Sequence, residues 1–267
     1  DIANALEPYI PTPQRGLFVY GLTAAVLSLK NLISTTGVVS ADVTGVGTVR
    51  NMAAGATYGT DKAIFGFGET DTSATKTNIS NLVNNSGVMA TDTTGVGTAR
   101  SGLAAATYGL DKAIFGYGNT GSITNLSNLV SSSGVVAADT TGVGTARRIL
   151  AASSYGTDKA IFGFGNAGSS VTNLVSNVGV VATDSGGVGT QRNFLSAAPY
   201  GDDKAIFGYG YAAAVVSITN LVSNSGVVAS DTTGVGTARE ALGGSPYGGD
   251  KAIFGYGVTT SKLSMTN

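Results

Sequence analysis

The sequence has no cysteine, no histidine and no tryptophan, and only 12% of its 267 residues are charged. Without Cys and His, the usual ligand sets for zinc, copper, haem and iron–sulfur clusters are missing. Thiol nucleophiles and imidazole general bases are missing too. No metal and no cofactor are therefore expected. The lack of Cys excludes disulfides but does not fix a compartment. No apolar run approaches the roughly 18 residues that a membrane span needs. Gly16–Leu29 is the most apolar stretch, but it aligns with the repeats described next and reads as strands, not as a leader. The formal net charge is −1, and ten of the 15 basic and ten of the 16 acidic residues sit at fixed repeat positions. Little charge is left to build a field for nucleic acid, so no nucleic-acid partner is expected. The chain opens at Asp1 without Met, which reads as a processed or partial protein.

What is present is glycine (40 residues) and a small vocabulary of repeated phrases, a turn-rich composition of the all-β kind. "DKAIFGYG", or the same phrase with Phe for Tyr, begins at Asp61, Asp111, Asp158, Asp203 and Asp250, with spacings of 50, 47, 45 and 47. A diverged sixth copy, "RGLFVYG", spans Arg15–Gly21. Between the copies runs a second phrase of the type "TNLVSNSGVVASDTTGVGTAR", closing at Arg50, Arg100, Arg147, Arg192 and Arg239. Four short strands fit each unit. Strand b is KAIFGYG and strand c is the TNLVSN run. Strand d is GVVAxD, and strand a is the small-residue run before the YGxD turn, as at Leu103–Tyr108. A period near 47 holding four strands is the signature of a β-propeller blade, whereas a β-helix coil is about half as long.

The sequence thus predicts an all-β fold, a propeller of four-stranded antiparallel blades, with six blades favoured and five as the alternative. Residues 1–14 form an N-terminal extended segment and 15–267 the repeat domain. Ala3–Ile10 is expected to serve as the first inner strand, with Pro8, Pro11 and Pro13 shaping the turn. The last blade, Glu240–Asn267, is expected to expose its c-strand edge to a neighbouring chain or another segment. In strand b, alternation puts Ala113, Phe115 and Tyr117 on one face and Lys112, Ile114 and Gly116 on the other. Neither face is polar, so the strand is expected to be buried on both. A Gly lying under a neighbour's ring would let the sheets approach closely. Seventeen of the 20 Tyr and Phe residues fall at repeat positions, which assigns them to packing, Phe65, Phe115, Phe162, Phe207 and Phe254 among them.

The order "TARSGLAAATYGLDKAIFGYG" (Thr98–Gly118) resembles a kelch repeat: an Arg entry, a small-residue strand, a turn, then an aliphatic-aromatic strand ending in glycine. That resemblance covers residues 15–267 and implies the propeller fold. Kelch repeats end strand b in a glycine pair, and here the pair is split by an aromatic. The phrasing "NLVSNSGVVASDTTGVGTAR … YGGDKAIFGYG" also resembles repeat proteins of marine bacteriophages, which are assigned to the virion as fibre or appendage components. The resemblance implies a location on an extracellular particle and, as partners, other virion proteins or further copies of the chain.

The candidate chemistry is sparse. The Asp of "TDTTG" and its relatives (Asp42, Asp92, Asp139, Asp184, Asp231) reads either as a calcium ligand or as a turn cap; one acid alone among Thr and Gly favours the cap. The repeat arginines read either as a carboxylate or sulfated-sugar site or as pins that pair with a repeat Asp and fix the register between blades, with the pin favoured. Asp61–Lys62 and its copies read as exposed ion pairs of small energetic weight. The b–c loops vary most between repeats and supply the candidate ligand-binding face: Glu69, Asp71, Asn119, Asn166 and Tyr211. The other variable place is the start of strand a, as at Arg148–Ile149 and Asn193–Phe194. In kelch-like propellers these two sets of loops share a face. No pair of carboxylates has a spacing that specifies a mechanism. The expected function is a structural or adhesive virion component, not an enzyme, with host-surface glycan as a further partner. The alternatives are a free lectin-like carbohydrate-binding propeller and a propeller hydrolase or lyase.

Overall fold

In the computed structural model, residues 16–166 and 169–267 are described. They contain no helix and form seventeen strands in six antiparallel sheets. The first sheet holds β1 (Gly16–Leu22), β2 (Val26–Ile33) and β3 (Val43–Thr44); the second β4 (Ala54–Tyr58), β5 (Lys62–Gly66) and β6 (Ser80–Val83). The third holds β7 (Ala104–Tyr108), β8 (Lys112–Gly116) and β9 (Ser127–Val130); the fourth β10 (Ala151–Tyr155), β11 (Lys159–Gly163) and β12 (Thr172–Val175). The fifth holds β13 (Ser196–Tyr200), β14 (Lys204–Tyr211) and β15 (Val215–Val222), and the sixth β16 (Gly243–Tyr247) and β17 (Lys251–Gly255). Residues 1–14, with the expected inner strand Ala3–Ile10, lie outside the described residues. No helix among the described residues is long and apolar enough to cross a membrane.

Each hairpin between strands a and b follows from its turn chemistry. In the three-residue connection between the paired Tyr108 and Lys112, Gly109 and Leu110 are both left-handed (φ +60° and +71°), a conformation that Gly takes without steric cost. Strand d departs from expectation. Beyond β3 it is not a continuous strand but two bridges in each of the second to fifth sheets, as at Val83↔Met89 and Ser80↔Thr93. The reason is the Asn in strand c. Asn81 Nδ2 donates to Ala90 O (3.1 Å) and to Asp92 (2.8 Å), so a side chain takes over where the ladder would continue.

The sheets pack in chain order. Strand β4 lies against β7, β7 against β10, β10 against β13, β13 against β16, and β16 against β1. Strand b is buried on both faces as expected: Ile114 and Phe115 are both fully enclosed. The assignment of its faces, however, needs correction. Ala113 and Phe115 face the second sheet, clustered with Ala54, Ile64 and Phe67. Tyr117 does not share their face. It joins Ile114 on the other side, against Leu150 and Phe162 of the fourth sheet. Tyr117 has φ +67°, and the same left-handed residue recurs as Tyr20, Phe67, Phe164, Tyr209 and Tyr256. One left-handed residue breaks the two-residue alternation and turns the ring to the opposite face. Each seam therefore receives two aromatics, one from each sheet: Phe67–Phe115, Tyr117–Phe162 and Phe164–Phe207 meet edge to face at 5.2 Å.

Gly116 sets the spacing of the third and fourth sheets, because a Cβ there would lie 2.6 Å from the Phe162 ring. Gly116→Ala is therefore expected to destabilise by about 1–3 kcal/mol through overpacking. Chemical denaturation measures this, and a change within about 0.5 kcal/mol would show that the seam yields.

A backbone chain also ties the starts of the a strands together. Gly102 N donates to Met52 O, Ile149 N to Gly102 O, Phe194 N to Ile149 O, and Ala241 N to Phe194 O. All five residues are left-handed, with φ between +48° and +61°. A β-branched Ile at such a φ is strained. The variable starts at Ile149 and Phe194 are thus held in a shared inter-sheet structure, whatever else they contact.

Candidate functional site

The most elaborate constellation in the molecule recurs at the five seams between consecutive sheets. The GVGTxR segment crosses from one sheet to the next, and its Arg side chain lies fully or almost fully enclosed. Arg100 stacks over the Phe67 ring of the preceding sheet at 4.2 Å. It then donates from Nε to Tyr117 O (2.9 Å) and from Nη2 to Asn128 Oδ1 (2.5 Å), both in the following sheet. Arg147 repeats this with Tyr117, Phe164 O and Asn173, and Arg192 with Phe164, Tyr209 O and Asn220. Arg50 stacks on Tyr20 and bonds Asn81; Arg239 stacks on Tyr209 and bonds Asn267. The expected Arg–Asp pairing is present but secondary, at 3.6–3.9 Å for Arg100–Asp139, Arg147–Asp184 and Arg192–Asp231.

The Asp has a more specific task than capping its own turn. Asp139 accepts from Thr98 N (2.9 Å), Thr98 Oγ1 (2.6 Å) and Asn128 Nδ2 (2.9 Å). It thus fastens the loop arriving from the preceding sheet. Gly97 permits the approach: it has φ +94°, and a Cβ there would sit 2.5 Å from Asp139 Oδ1. Asn81, Asn128, Asn173 and Asn220, all fully buried, are members of this clasp that look in the sequence like ordinary strand c residues. Their signal is the constant eleven-residue separation from the Asp they bind.

Burial draws the Arg100 and Arg192 guanidiniums down to about 10 while Asp139 and Asp231 oppose it, so both stay charged at neutral pH. Burial pushes the Asp92, Asp139, Asp184 and Asp231 carboxyls upward. Hydrogen bonds from Thr and Asn, together with the nearby Arg, outweigh it and leave all four below the usual carboxylate range. A carboxyl whose folded pKa lies below its unfolded value stabilises the fold above the unfolded value and loses that contribution as pH falls through the folded one. The melting temperature is accordingly expected to stay level between about pH 5 and 8, where no His titrates, and to drop below about pH 4. Calorimetric scans across pH test this, and a step near pH 6–7 would contradict it.

The variable loops and the starts of the a strands do share one face. Asn51 bridges Glu69, Ser101 bridges Asn119, Asn193 bridges Tyr211 and Glu240 bridges Val258. Within that face the five candidate residues have different tasks. Glu69 accepts from Ser101 Oγ (2.7 Å) across a seam. Asp71 caps its own loop through Ser73 N and Thr75 N, and those bonds from Thr75 and Ser73 hold its carboxyl low. Asn119 Oδ1 accepts from Gly121 N, a local turn. Asn166 Oδ1 accepts from Arg148 N. Only Asn166 and Tyr211 come together, lining an open recess of about 530 Å³ between the fourth and fifth sheets with Gln191, Arg192 and Asn193. Tyr211 is 41% exposed there. Lys62–Asp61 and its four copies are ion pairs of 2.6–2.9 Å at exposed turns, as expected. No family model and no curated protein matches the chain.

Proposed function

We propose that the chain is a structural and adhesive component of a virion, a fibre or appendage module built as a six-bladed β-propeller. Six sheets following one another in space, with Phe18 of the first meeting Tyr256 of the sixth at 5.2 Å, support the six-bladed arrangement. The observation that carries the non-catalytic part is the use of the repeat arginines. All five are built into seams, stacked on rings and bonded to Asn, so the strongest polar groups of the fold hold sheets together. The virion location rests on the resemblance of the repeat phrasing to repeat proteins of marine phages. Neighbouring particle proteins or further copies are the partners of this reading. Particles banded on a density gradient and probed with antibody are expected to carry the chain. Recovery only as free secreted protein would overturn the location.

The recess between the fourth and fifth sheets favours glycan contact as an added role. An exposed Tyr beside amide side chains offers a sugar a stacking face and hydrogen bonds. Binding on a glycan array that is lost in Tyr211→Ala would support it, and wild-type binding to no glycan would remove it.

A further inference from the structure

The fifth sheet departs from the repeat, and its departures converge on one place. Its b and c strands, β14 and β15, are eight residues long, against five and four in the second to fourth sheets. After a register shift beyond Gly208 they pair on as far as Tyr211↔Val215, and Ala212 N closes the hairpin on Ala214 O at 2.8 Å. Tyr211 is the only aromatic at its repeat position, where the other units have Leu22, Glu69, Asn119, Asn166 and Val258. Its backbone is held along the other edge too: Asn193 N donates to Tyr211 O (3.1 Å) and Tyr211 N to Asn193 O (2.8 Å). The exposed ring therefore stands on a backbone fixed from both sides, a platform with little left to order on binding.

Gln191 is the second departure. The other GVGTxR segments have Val49, Ala99, Ala146 and Ala238 at this place. Gln191 is exposed and lines the recess together with Tyr211. Asn193 lines it as well, and its Oδ1 is buried with no hydrogen-bond partner among the described residues. A buried acceptor without a donor costs free energy, which an arriving hydroxyl recovers.

The electrostatics of the recess narrow its ligand. Arg192 is the one charged residue of the lining, and it is committed elsewhere. Its Nε donates to Tyr209 O, its Nη1 to Thr190 O and its Nη2 to Asn220 Oδ1. Its charge faces Asp231 at 3.9 Å, and its side chain is 0% exposed. Arg148 meets Asn166 through its backbone amide and carbonyl and is not part of the lining. The two residues that follow Asn166 in the sequence, Ala167 and Gly168, carry no charge. A carboxylate or sulfate entering the recess would lose water without gaining a cation. A hydroxyl meets an acceptor in Asn193 and amides in Gln191 and Asn166.

We propose that the recess between the fourth and fifth sheets is selective for uncharged pyranose glycans. The C–H face of a sugar ring lies on Tyr211, a ring hydroxyl donates to Asn193 Oδ1, and Gln191 supplies an amide hydrogen bond from the GVGTxR side. The inference rests on the glycan-contact reading of this recess; it adds the ligand class and the two amide residues that set it.

The test is an array of neutral, sialylated, sulfated and uronate-containing glycans probed with the purified full chain, followed by titration of the best-bound glycan. The bound glycans are expected to be uncharged, with affinity that hardly changes between low and high salt. Gln191→Ala matches three other repeats, and Asn193→Ser matches the third sheet at Ser101, so both variants are expected to melt with the wild type. Each is expected to weaken neutral-glycan binding about three- to tenfold, the effect of one lost hydrogen bond. Binding confined to charged glycans and lost in Tyr211→Ala would overturn the selectivity while leaving glycan contact at the recess in place. Neutral-glycan binding that neither amide variant changes would overturn the assignment of those residues. Binding to no glycan would remove the contact reading itself, and this inference with it.

Discussion

Phe115→Ala is expected to lose about 3–5 kcal/mol of stability, a large share of the roughly 5–15 kcal/mol that a domain typically has. Phe115 is 0% exposed, and its ring lies over Gly66, within a cluster that includes Ala54, Ile64, Phe67, Leu103 and Val130. Truncation removes the ring from a seam between two sheets, neither of which can collapse without moving the rest of its own packing. The residual cavity adds to the lost transfer energy. Denaturant melts compared at constant m-value measure the loss. Leu110→Ala, at a turn position 65% exposed, provides the internal control and is expected within about 0.5 kcal/mol of wild type. A Phe115→Ala loss under about 1 kcal/mol would mean that strand b is not clamped between two sheets.

Arg147→Ala carries the second large effect, at least about 3 kcal/mol, because it strands three acceptors at roughly 1 kcal/mol or more each. Phe164 O, Asn173 Oδ1 and Thr145 O all receive bonds from this one guanidinium, and the Tyr117 ring loses its stacked partner. Arg147→Lys is expected to recover only part of the loss. An ammonium cannot present the planar fork that reaches a carbonyl and an amide while lying flat on a ring. Asp184→Asn is expected to cost about 1–2 kcal/mol, less than the Arg147 change: its ion pair is long at 3.9 Å, and the loss comes mainly from the bonds its carboxylate accepts from Thr145 and Asn173. Loss of less than about 1 kcal/mol in Arg147→Ala would show that water can replace the guanidinium in the seam.

These two residues differ in how readable they were. Phe115 announces itself: it recurs with a fixed spacing inside an apolar phrase, and a strand with no polar face must be covered twice. Arg147 was legible as a register pin, yet its main partners were not. Asn173 sits in strand c between Thr and Leu with nothing local to distinguish it, and the Phe164 backbone carbonyl leaves no mark in a sequence at all. The loop-face candidates divide the same way. Glu69, Asp71, Asn119 and Asn166 stand out in the sequence only because the loops vary, and variation does not distinguish a loop that meets a ligand from one that closes on itself. Each of the four accepts its hydrogen bonds from nearby loops and seams of its own chain.

The repeat by itself determined the all-β class, the unit of about 47 residues, the hairpin turns and the double burial of strand b. All of these follow from local chemistry: Tyr-Gly-x-Asp turns, two-residue periodicity and apolarity on both faces. What the tertiary structure alone decided is which side each ring takes and what the polar repeat positions hold. Alternation put Tyr117 beside Phe115. The left-handed backbone at Tyr117 turns it to the other seam, and that conformation costs energy in an isolated strand, so nothing in the strand itself calls for it. It is held from outside, by the next sheet's Phe162 and by the arginine that arrives from the loop beyond. The same holds for strand d, whose ladder gives way because a buried Asn in the neighbouring strand takes its carbonyl. Properties set by a residue and its immediate neighbours were written in the repeat. Those set by a partner tens of residues away in another sheet came into being only when the sheets packed.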